Sequence, residues 1–169
     1  MKRYIRSAIS SFDDLDWREQ VALASNPNAS IRDLIKWGNS DSVDVRLAVA
    51  RNPNTPEDFL WQLWMGPDYR THIALSVNPS APVDLLIALA KDSCDIACKY
   101  ALQNPNATDE VFYTAAANCR DLNVAGEILD NKNTPVEALR ALLNTSLAQR
   151  SQWVRDSCRK LIAEKEQNA

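Results

Sequence analysis

The feature that most constrains the fold is an Asn-Pro pair that recurs along the chain at a fixed interval. Successive copies are 26 residues apart, and a degenerate copy that begins at Asn131 follows the fourth after 27 residues. A period of about 20 to 50 residues is typical of solenoids, in which each unit buries its apolar face against its neighbours. The sequence therefore predicts a stack of five similar units. The four intact pairs are Asn26-Pro27, Asn52-Pro53, Asn78-Pro79 and Asn104-Pro105.

Each Asn-Pro pair predicts a turn between two helices. A proline offers no backbone N–H, and the residue before it is pushed out of the α region, so a helix ends there. Thr55 before Pro56 and Thr134 before Pro135 predict hydroxyl caps at the start of the second helix, and Asp58 has the spacing of a capping box. Each unit is therefore interpreted as a helix, a turn and a second helix.

The predicted fold class is an all-α solenoid that forms a single domain of 169 residues. Strands are not expected, because the chain lacks stretches of alternating β-branched and aromatic residues. Tyr4, Ile5, Ile9 and Phe12 have the spacing of one helix side, which predicts an N-terminal cap over the end of the stack. The predicted boundaries are 1–16 for this cap, 17–42, 43–68, 69–94, 95–120 and 121–147 for the repeats, and 148–169 for a C-terminal cap with a frayed tail.

Equivalent positions in successive units form rows, and the rows indicate which side chains build the core. Rows that stay apolar are assigned to one continuous core, whereas rows that vary are interpreted as free for solvent or for a partner. Two core rows come from the second helices and two from the first. They are Leu34, Leu60, Leu86, Phe112 and Leu139; Trp37, Leu63, Leu89, Ala115 and Leu142; Leu23, Val49, Leu75, Ala101 and Ile128; and Ala24, Ala50, Ser76, Leu102 and Leu129.

Charge and composition disfavour several classes of protein. The net charge is −3, and the chain lacks the basic footprint of a nucleic-acid-binding protein, so nucleic acid is not an expected partner. No run approaches the roughly 18 apolar residues of a membrane span, so no membrane association is expected and a cytoplasmic location is predicted. The four cysteines do not recur with the repeat and are predicted to be reduced thiols.

No arrangement of residues in the sequence predicts catalysis. Cys94 and Cys119 stand at nearly equivalent positions of successive units, but no fourth metal ligand is evident nearby and the spacing matches no zinc signature. His72 and Cys98 are 26 residues apart. That spacing places them about one helix diameter apart, whereas a thiol and its base need roughly 3 Å. The chain is not expected to be an enzyme, and no catalytic residue, metal or cofactor is predicted.

The unit 43–68 carries a family resemblance. Its residues Val45-Arg46-x-Ala48-Val49-Ala50-x-Asn52-Pro53-Asn54-Thr55-Pro56, followed by Leu60 and Leu63, resemble the variant leucine-rich repeat, a small bacterial family related to HEAT-type solenoids. The resemblance spans about residues 17–143. It implies a right-handed superhelix that alternates α- and 3-10 helices, with α/α units as the alternative. The iron–sulfur module of some relatives is not implied, because no cysteine precedes Cys94.

Two groups of side chains are candidates for binding a partner. Trp61 and Trp64 lie in or beside a second-helix row that is either further core or an apolar stripe with aromatic anchors. The other candidates stand in first-helix rows that vary, and arginine is enriched at interfaces. They are Arg46, Arg51, Arg70 and His72.

These features together predict a non-catalytic scaffold that presents a rigid surface to a protein partner. An adaptor, an immunity or inhibitor protein and an assembly factor all fit this description, either as a monomer or as a weak dimer. The alternative is a HEAT-like solenoid that binds nucleic acid or acts in DNA repair.

Overall fold

The computed structural model describes residues 12–168, and within them the chain is all-helical, with no strand. The predicted fold class is therefore confirmed, and both helices of each unit are α-helices. No helix in this part of the chain has the length and apolarity needed to cross a membrane. After a 3-10 turn at Phe12–Asp14, the helices are α1 Trp17–Ala24, α2 Ile31–Gly38, α3 Val43–Arg51, α4 Glu57–Trp64, α5 Tyr69–Ser76, α6 Val83–Lys91, α7 Asp95–Gln103, α8 Asp109–Ala117, α9 Leu122–Asp130, α10 Val136–Leu143, α11 Ser146–Arg150 and α12 Gln152–Gln167.

The helices stack in two rows. The first helices of the units, α1, α3, α5, α7 and α9, each pack against the next one along the row. The second helices pack closely from α6 through α8 to α10, and α12 follows α10, whereas α2, α4 and α6 contact one another less. The architecture is that of a solenoid, because each unit contacts mainly its neighbours.

The predicted core rows are buried almost throughout, but they form two clusters instead of one continuous core. The larger cluster runs from Leu47 to Cys158, and the smaller one surrounds Leu34 and Phe59 near the N-terminal end. Leu63 packs against both clusters. Leu23 is an exception to its row: it is 40% exposed, whereas its equivalents from Val49 onward are fully buried. In a stack, such a position is buried by the neighbouring unit on each side, and among residues 12–168 Leu23 has a neighbouring unit on one side only.

The asparagine of each turn does more than stop a helix. The Nδ2 group of Asn78 donates to the carbonyls of Ala50 and Asn52 in the preceding unit, at 2.7 and 3.0 Å. Its Oδ1 accepts the backbone N–H of Ser80 at 2.8 Å, which closes its own turn. The last carbonyls of a helix lack partners within that helix. Asn78, which is fully buried, therefore satisfies the end of α3 and ties two units together.

This arrangement repeats as an asparagine ladder along the stack. Asn52 lies one unit earlier and Asn104 one unit later. Each donates to two carbonyls of the unit before it and accepts one N–H of its own turn, as Asn78 does. Asn131, in the degenerate turn, still accepts an N–H of its own turn but, among the described residues, makes only one donated bond, of 3.3 Å to the carbonyl of Leu102. At the N-terminal end, Asn26 accepts the N–H of its own turn but donates to no carbonyl of residues 12–168. The ladder explains why the turn requires a side-chain amide.

The predicted threonine caps are wrong. The hydroxyl of Thr55 donates to the carbonyl of Val49 at 2.6 Å, at the end of the preceding helix, and the hydroxyl of Thr134 donates to Ile128 in the same way. The helices α4 and α10 begin after Pro56 and Pro135, without a side-chain cap. Both threonines are buried, so their hydroxyls satisfy the carbonyls of the helix that ends instead of the N–H groups of the helix that begins.

One row of first-helix residues varies in chemistry but keeps one structural role. Gln20, Arg46, Cys98 and Arg155 each donate to backbone carbonyls five to eight residues earlier in the chain, and His72 contacts one in the same position. These bonds fasten α1, α3, α5, α7 and α12 to the segments that lead into them, whereas α9 has apolar residues at this position. The side chains of this row therefore already have a structural role, and binding of a partner by Arg46 and His72 stays a prediction.

The two ends of the chain differ in what the structure describes. Tyr4, Ile5 and Ile9 of the predicted N-terminal cap lie outside the described residues, while the Phe12 ring stacks on Trp37 with centroids 4.6 Å apart. At the C-terminal end α12 continues to Gln167, so the segment that was predicted to fray is helical up to that residue. Ion pairing helps to hold it: Arg140 Nη2 lies 2.6 Å from a carboxylate oxygen of Glu166, and Lys165 donates to the carbonyl of Lys132.

Candidate functional site

Three of the sequence-predicted binding residues form one packed cluster. The rings of Trp61 and Trp64 meet edge to face at 5.6 Å, and the ring of Trp64 lies over that of His72 at 6.3 Å. His72 Nε2 is 3.0 Å from the carbonyl oxygen of Trp64, and its Nδ1 is 2.9 Å from Asp92 Oδ2 without the alignment of a hydrogen bond. The cluster joins α4, α5 and the end of α6. Trp64 and His72 therefore contribute first to packing.

The second-helix row beside the core is only partly exposed. Ile35 and Tyr113 at its ends are exposed, whereas Trp61 and Ile87 between them are half-buried. Trp64, Ile87 and Lys91 line a shallow cleft of about 440 Å³ where α4 faces α6. The row is thus core in its middle and surface at its ends, so neither of the two interpretations of the sequence holds for all of it.

The predicted arginines divide between structure and surface. Arg46 Nη1 donates to the carbonyls of Ser40 and Asp41 at 2.6 and 3.0 Å, so its guanidinium already has partners. Arg70 is exposed and forms a two-bond ion pair with Asp68, and these hydrogen bonds hold the pKa of that carboxyl below its usual value. Arg51 is exposed and has no ion-pair partner within residues 12–168. Arg51 and Arg70 lie on the first helices, away from the tryptophan cluster.

The outward side of the first helices, called the first-helix face below, exposes six large apolar side chains among the described residues. Single exposed apolar residues are ordinary, but contiguous ones mark interaction sites. Here the exposed apolar residues belong to α1, α5, α7 and α9, at the first, second, sixth or ninth position counted from the start of the helix. These positions fall on one side of a helix. The exposed apolar residues of this face are Trp17, Tyr69, Val77, Ile96, Tyr100 and Leu122.

The sequence contained a signal for this face that rows of repeated chemistry do not reveal. The first position of the first helices carries Trp17 and Tyr69, and the second position carries Ile96 where other units have Arg18, Asp44 and Arg70. The large apolar side chains are thus distributed over several neighbouring rows, and no single row is apolar in every unit. The structure adds which of these side chains are exposed, and it places α3, with the exposed charges of Asp44 and Arg51, between the apolar residues of α1 and those of α5.

A groove of about 530 Å³ runs between α1 and α3 on the first-helix face. Its apolar part is formed by Trp17, Val21 and Leu47, and its charged rim by Asp44 and Arg51. Trp17 is 52% exposed. Tryptophan and arginine at the edge of an apolar depression are the residue types that dominate binding energy at protein interfaces.

The cysteines show no catalytic arrangement. Burial raises the pKa of Cys98 to about 12 and the pKa values of Cys119 and Cys158 to about 11. A thiolate, not a thiol, is the nucleophile and metal ligand. Within residues 12–168, no group of three or more His, Cys, Asp or Glu side chains is placed so that it could hold a metal ion.

Thiol labelling tests this description of the cysteines. Cys94 is half-exposed, whereas the other three thiols are buried and stay protonated up to pH 9, two units or more below their pKa values. We expect one fast-reacting thiol per native chain with an aromatic disulfide reagent at pH 8, and four in guanidinium chloride. The Cys94→Ser variant should lose the fast phase. A fast-reacting thiol that persists in that variant would contradict the burial.

No family model, no curated protein and no solved structure matches this chain. The resemblance to the variant leucine-rich repeat therefore stays a prediction, as does the right-handed superhelix it implies. One implied feature, the alternation of α- and 3-10 helices, differs from the structure, in which both helices of every unit are α-helices.

Proposed function

We propose that this chain is a non-catalytic scaffold that binds a protein partner through the first-helix face. The observation that carries the proposal is the set of exposed apolar side chains on α1, α5, α7 and α9, from Trp17 to Leu122. Arg51 and Arg70 stand among these side chains and supply the charged anchors. An adaptor, an inhibitor or immunity protein and an assembly factor all fit this proposal.

Rigidity supports the same role. The asparagine ladder joins successive units through buried bonds, and the carbonyl-binding row adds part-buried ones, so the helices of the face are held before a partner arrives. A preordered surface loses little conformational entropy on binding, and a few anchors can then determine the affinity. The Trp61 and Trp64 cluster contributes to this rigidity and exposes only part of its surface.

A pull-down from the native host with two matched double variants tests the proposal. Tyr69→Ser with Ile96→Ser removes apolar surface from the first-helix face, where these side chains are 59% and 51% exposed. Ile31→Ser with Tyr113→Ser removes a similar surface from the second helices, at 55% and 51% exposure. We expect the first pair to reduce partner capture at least about tenfold, since central apolar contacts dominate binding. The second pair should leave it unchanged.

The opposite pattern would overturn the placement of the site. Loss of the partner only in the Ile31 and Tyr113 pair would move binding to the second-helix row that contains Trp61. Equal capture by wild type and both variants would contradict binding through either apolar surface. Arg70→Ala provides an intermediate test, because it removes one charged anchor and leaves the apolar side chains in place.

A further inference from the structure

The charged residues of the groove between α1 and α3 are arranged so that the groove is complementary to the same groove of a second copy. Asp44 stands in the first turn of α3 and Arg51 is its last residue, so the two charges lie about 10 Å apart along the helix. The apolar side chains of Leu47 and Ala48 lie between them. If a second α3 lies antiparallel across this helix, each Asp44 meets the partner's arginine, and each Arg51 meets the partner's aspartate.

We propose that this part of the first-helix face binds a second copy of the chain, as a two-fold symmetric dimer with its axis near Leu47 and Ala48. The inference rests on the proposed binding role of the face and names the occupant of its N-terminal half. A two-fold interface is isologous: when residue i of one copy contacts residue j of the other, j contacts i in return. A surface with one cation and one anion placed symmetrically about its centre satisfies this condition.

The neighbouring helices agree with the same two-fold axis. A two-fold axis that lies in the interface and perpendicular to α3 keeps the order of the helices, so α1 of one copy lies over α1 of the other and α5 lies over α5. Tyr69, at the start of α5, then lies opposite Val77, at the end of the partner's α5, and both are exposed. Trp17, at the start of α1, lies opposite the end of the partner's α1 at Ser25. The exposed apolar side chains of Trp17, Tyr69 and Val77 become covered.

Neither Asp44 nor Arg51 is held in a direct ion pair within residues 12–168. The charge of Arg70 on α5 interacts with Asp44 electrostatically. Arg18 lies over the ring of Trp17, with its guanidinium carbon 4.9 Å from the ring centroid. Its charge would then face the carbonyl end of the partner's α1, which attracts cations.

The size of the patch sets the expected strength of the dimer. Three helices of eight or nine residues form a patch about 13 Å long and about 25 to 30 Å wide. This is smaller than the roughly 800 Å² that each partner contributes to a standard interface. We therefore expect a reversible dimer with a Kd of about 10 to 100 μM.

Charge exchange with purified protein tests the dimer. Sedimentation velocity from about 5 to 500 μM, a range that brackets the expected Kd, should show dimers of the wild type. Asp44→Arg alone and Arg51→Asp alone should each weaken association at least tenfold, because each variant places like charges together twice. The double variant restores both pairs, so its Kd should return to within about threefold of the wild-type value. An equimolar mixture of the two single variants should form heterodimers.

The results separate this inference from the proposed function. A wild type that stays monomeric at the highest concentration, or single variants that dimerise as the wild type does, would overturn the dimer. The pull-down on the first-helix face could still succeed in that case, because it requires no second copy. Unfolding curves of the single variants provide the control for folding; each variant reverses a favourable charge at an end of α3 and should cost no more than about 1 to 2 kcal/mol, which leaves the chain folded.

Discussion

Asn78→Asp should lower the free energy of unfolding at pH 7 by about 3 to 5 kcal/mol, although the two side chains have nearly the same shape. The carboxylate can still accept the N–H of Ser80, but it cannot donate to the carbonyls of Ala50 and Asn52. It also places a negative charge beside two carbonyl oxygens at a position with no solvent exposure. Urea unfolding followed by circular dichroism measures the loss.

Asn26→Asp is the matched control. Asn26 begins the same kind of turn and accepts the N–H of Asn28, but it is exposed and donates to no described carbonyl. Its replacement should change the free energy of unfolding by no more than about 0.5 kcal/mol. Equal losses at positions 26 and 78 would show that the asparagine acts only within its own turn and would contradict the ladder.

The pH dependence of Asn78→Asp provides a second check. Burial and the neighbouring carbonyl oxygens favour the neutral form, so the pKa of the introduced carboxyl should be higher in the folded than in the unfolded chain, where it is about 4. The unfolded state then releases its proton first as the pH rises. The loss of stability relative to wild type should therefore be smallest near pH 4 and grow as the pH rises through the folded-state pKa. A constant loss would contradict this account.

The sequence was sufficient to predict the helices and most of the core, because both follow from local rules. An Asn-Pro pair ends a helix wherever it occurs, and rows such as Leu34, Leu60 and Leu86 repeat with the unit length. The hydrogen bonds between units were not predictable in this way. Nothing near Asn78 in the chain distinguishes an amide that donates within its own turn from one that reaches the preceding unit.

The sequence patterns also did not reveal which backbone group each side chain bonds. Thr55 has the spacing of an N-terminal cap, yet its hydroxyl donates to Val49 behind it, because the threonine is buried beside the end of α3. Gln20, Arg46 and Cys98 look unrelated, yet all three donate to carbonyls of the preceding segment. Because different donors can perform one role, variation in a row does not imply that its side chains are free to bind a partner.

The candidate site was only partly predictable. Arg51 and Arg70 lie on the first-helix face, but Trp61, Trp64 and His72 were identified from residue type, and the structure uses the rings of Trp64 and His72 in packing. The remaining residues of the face stand in several neighbouring rows of the repeat. Their exposure depends on how closely the helices stack, which is a property of packing and not of spacing.

A second large effect is expected in the smaller core cluster, where Gly38→Ala should reduce the free energy of unfolding by about 1 to 3 kcal/mol. Gly38 is the last residue of α2 and is buried. A Cβ atom there would overlap the ring of Phe59, with Cζ at 2.6 Å, and would lie 3.3 Å from Val49 Cγ1. Phe59 is itself buried, so its ring cannot turn aside without disturbing the contact between α2 and α4.

The same substitution at Gly126 should have the opposite effect on the free energy of unfolding. Gly126 lies inside α9, and an added Cβ would be 3.9 Å from Trp153 Cη2, an ordinary contact. Alanine should therefore stabilise the protein by about 0.5 to 1 kcal/mol, because glycine loses more backbone freedom in a helix. The cause at Gly38 can be isolated with Phe59→Leu: in that background, the smaller side chain leaves room, and Gly38→Ala should cost less than in wild type. If Gly38→Ala costs as much in the Phe59→Leu background as in wild type, the strain does not come from the Phe59 ring, and the close approach of α2 and α4 at this glycine does not depend on that ring.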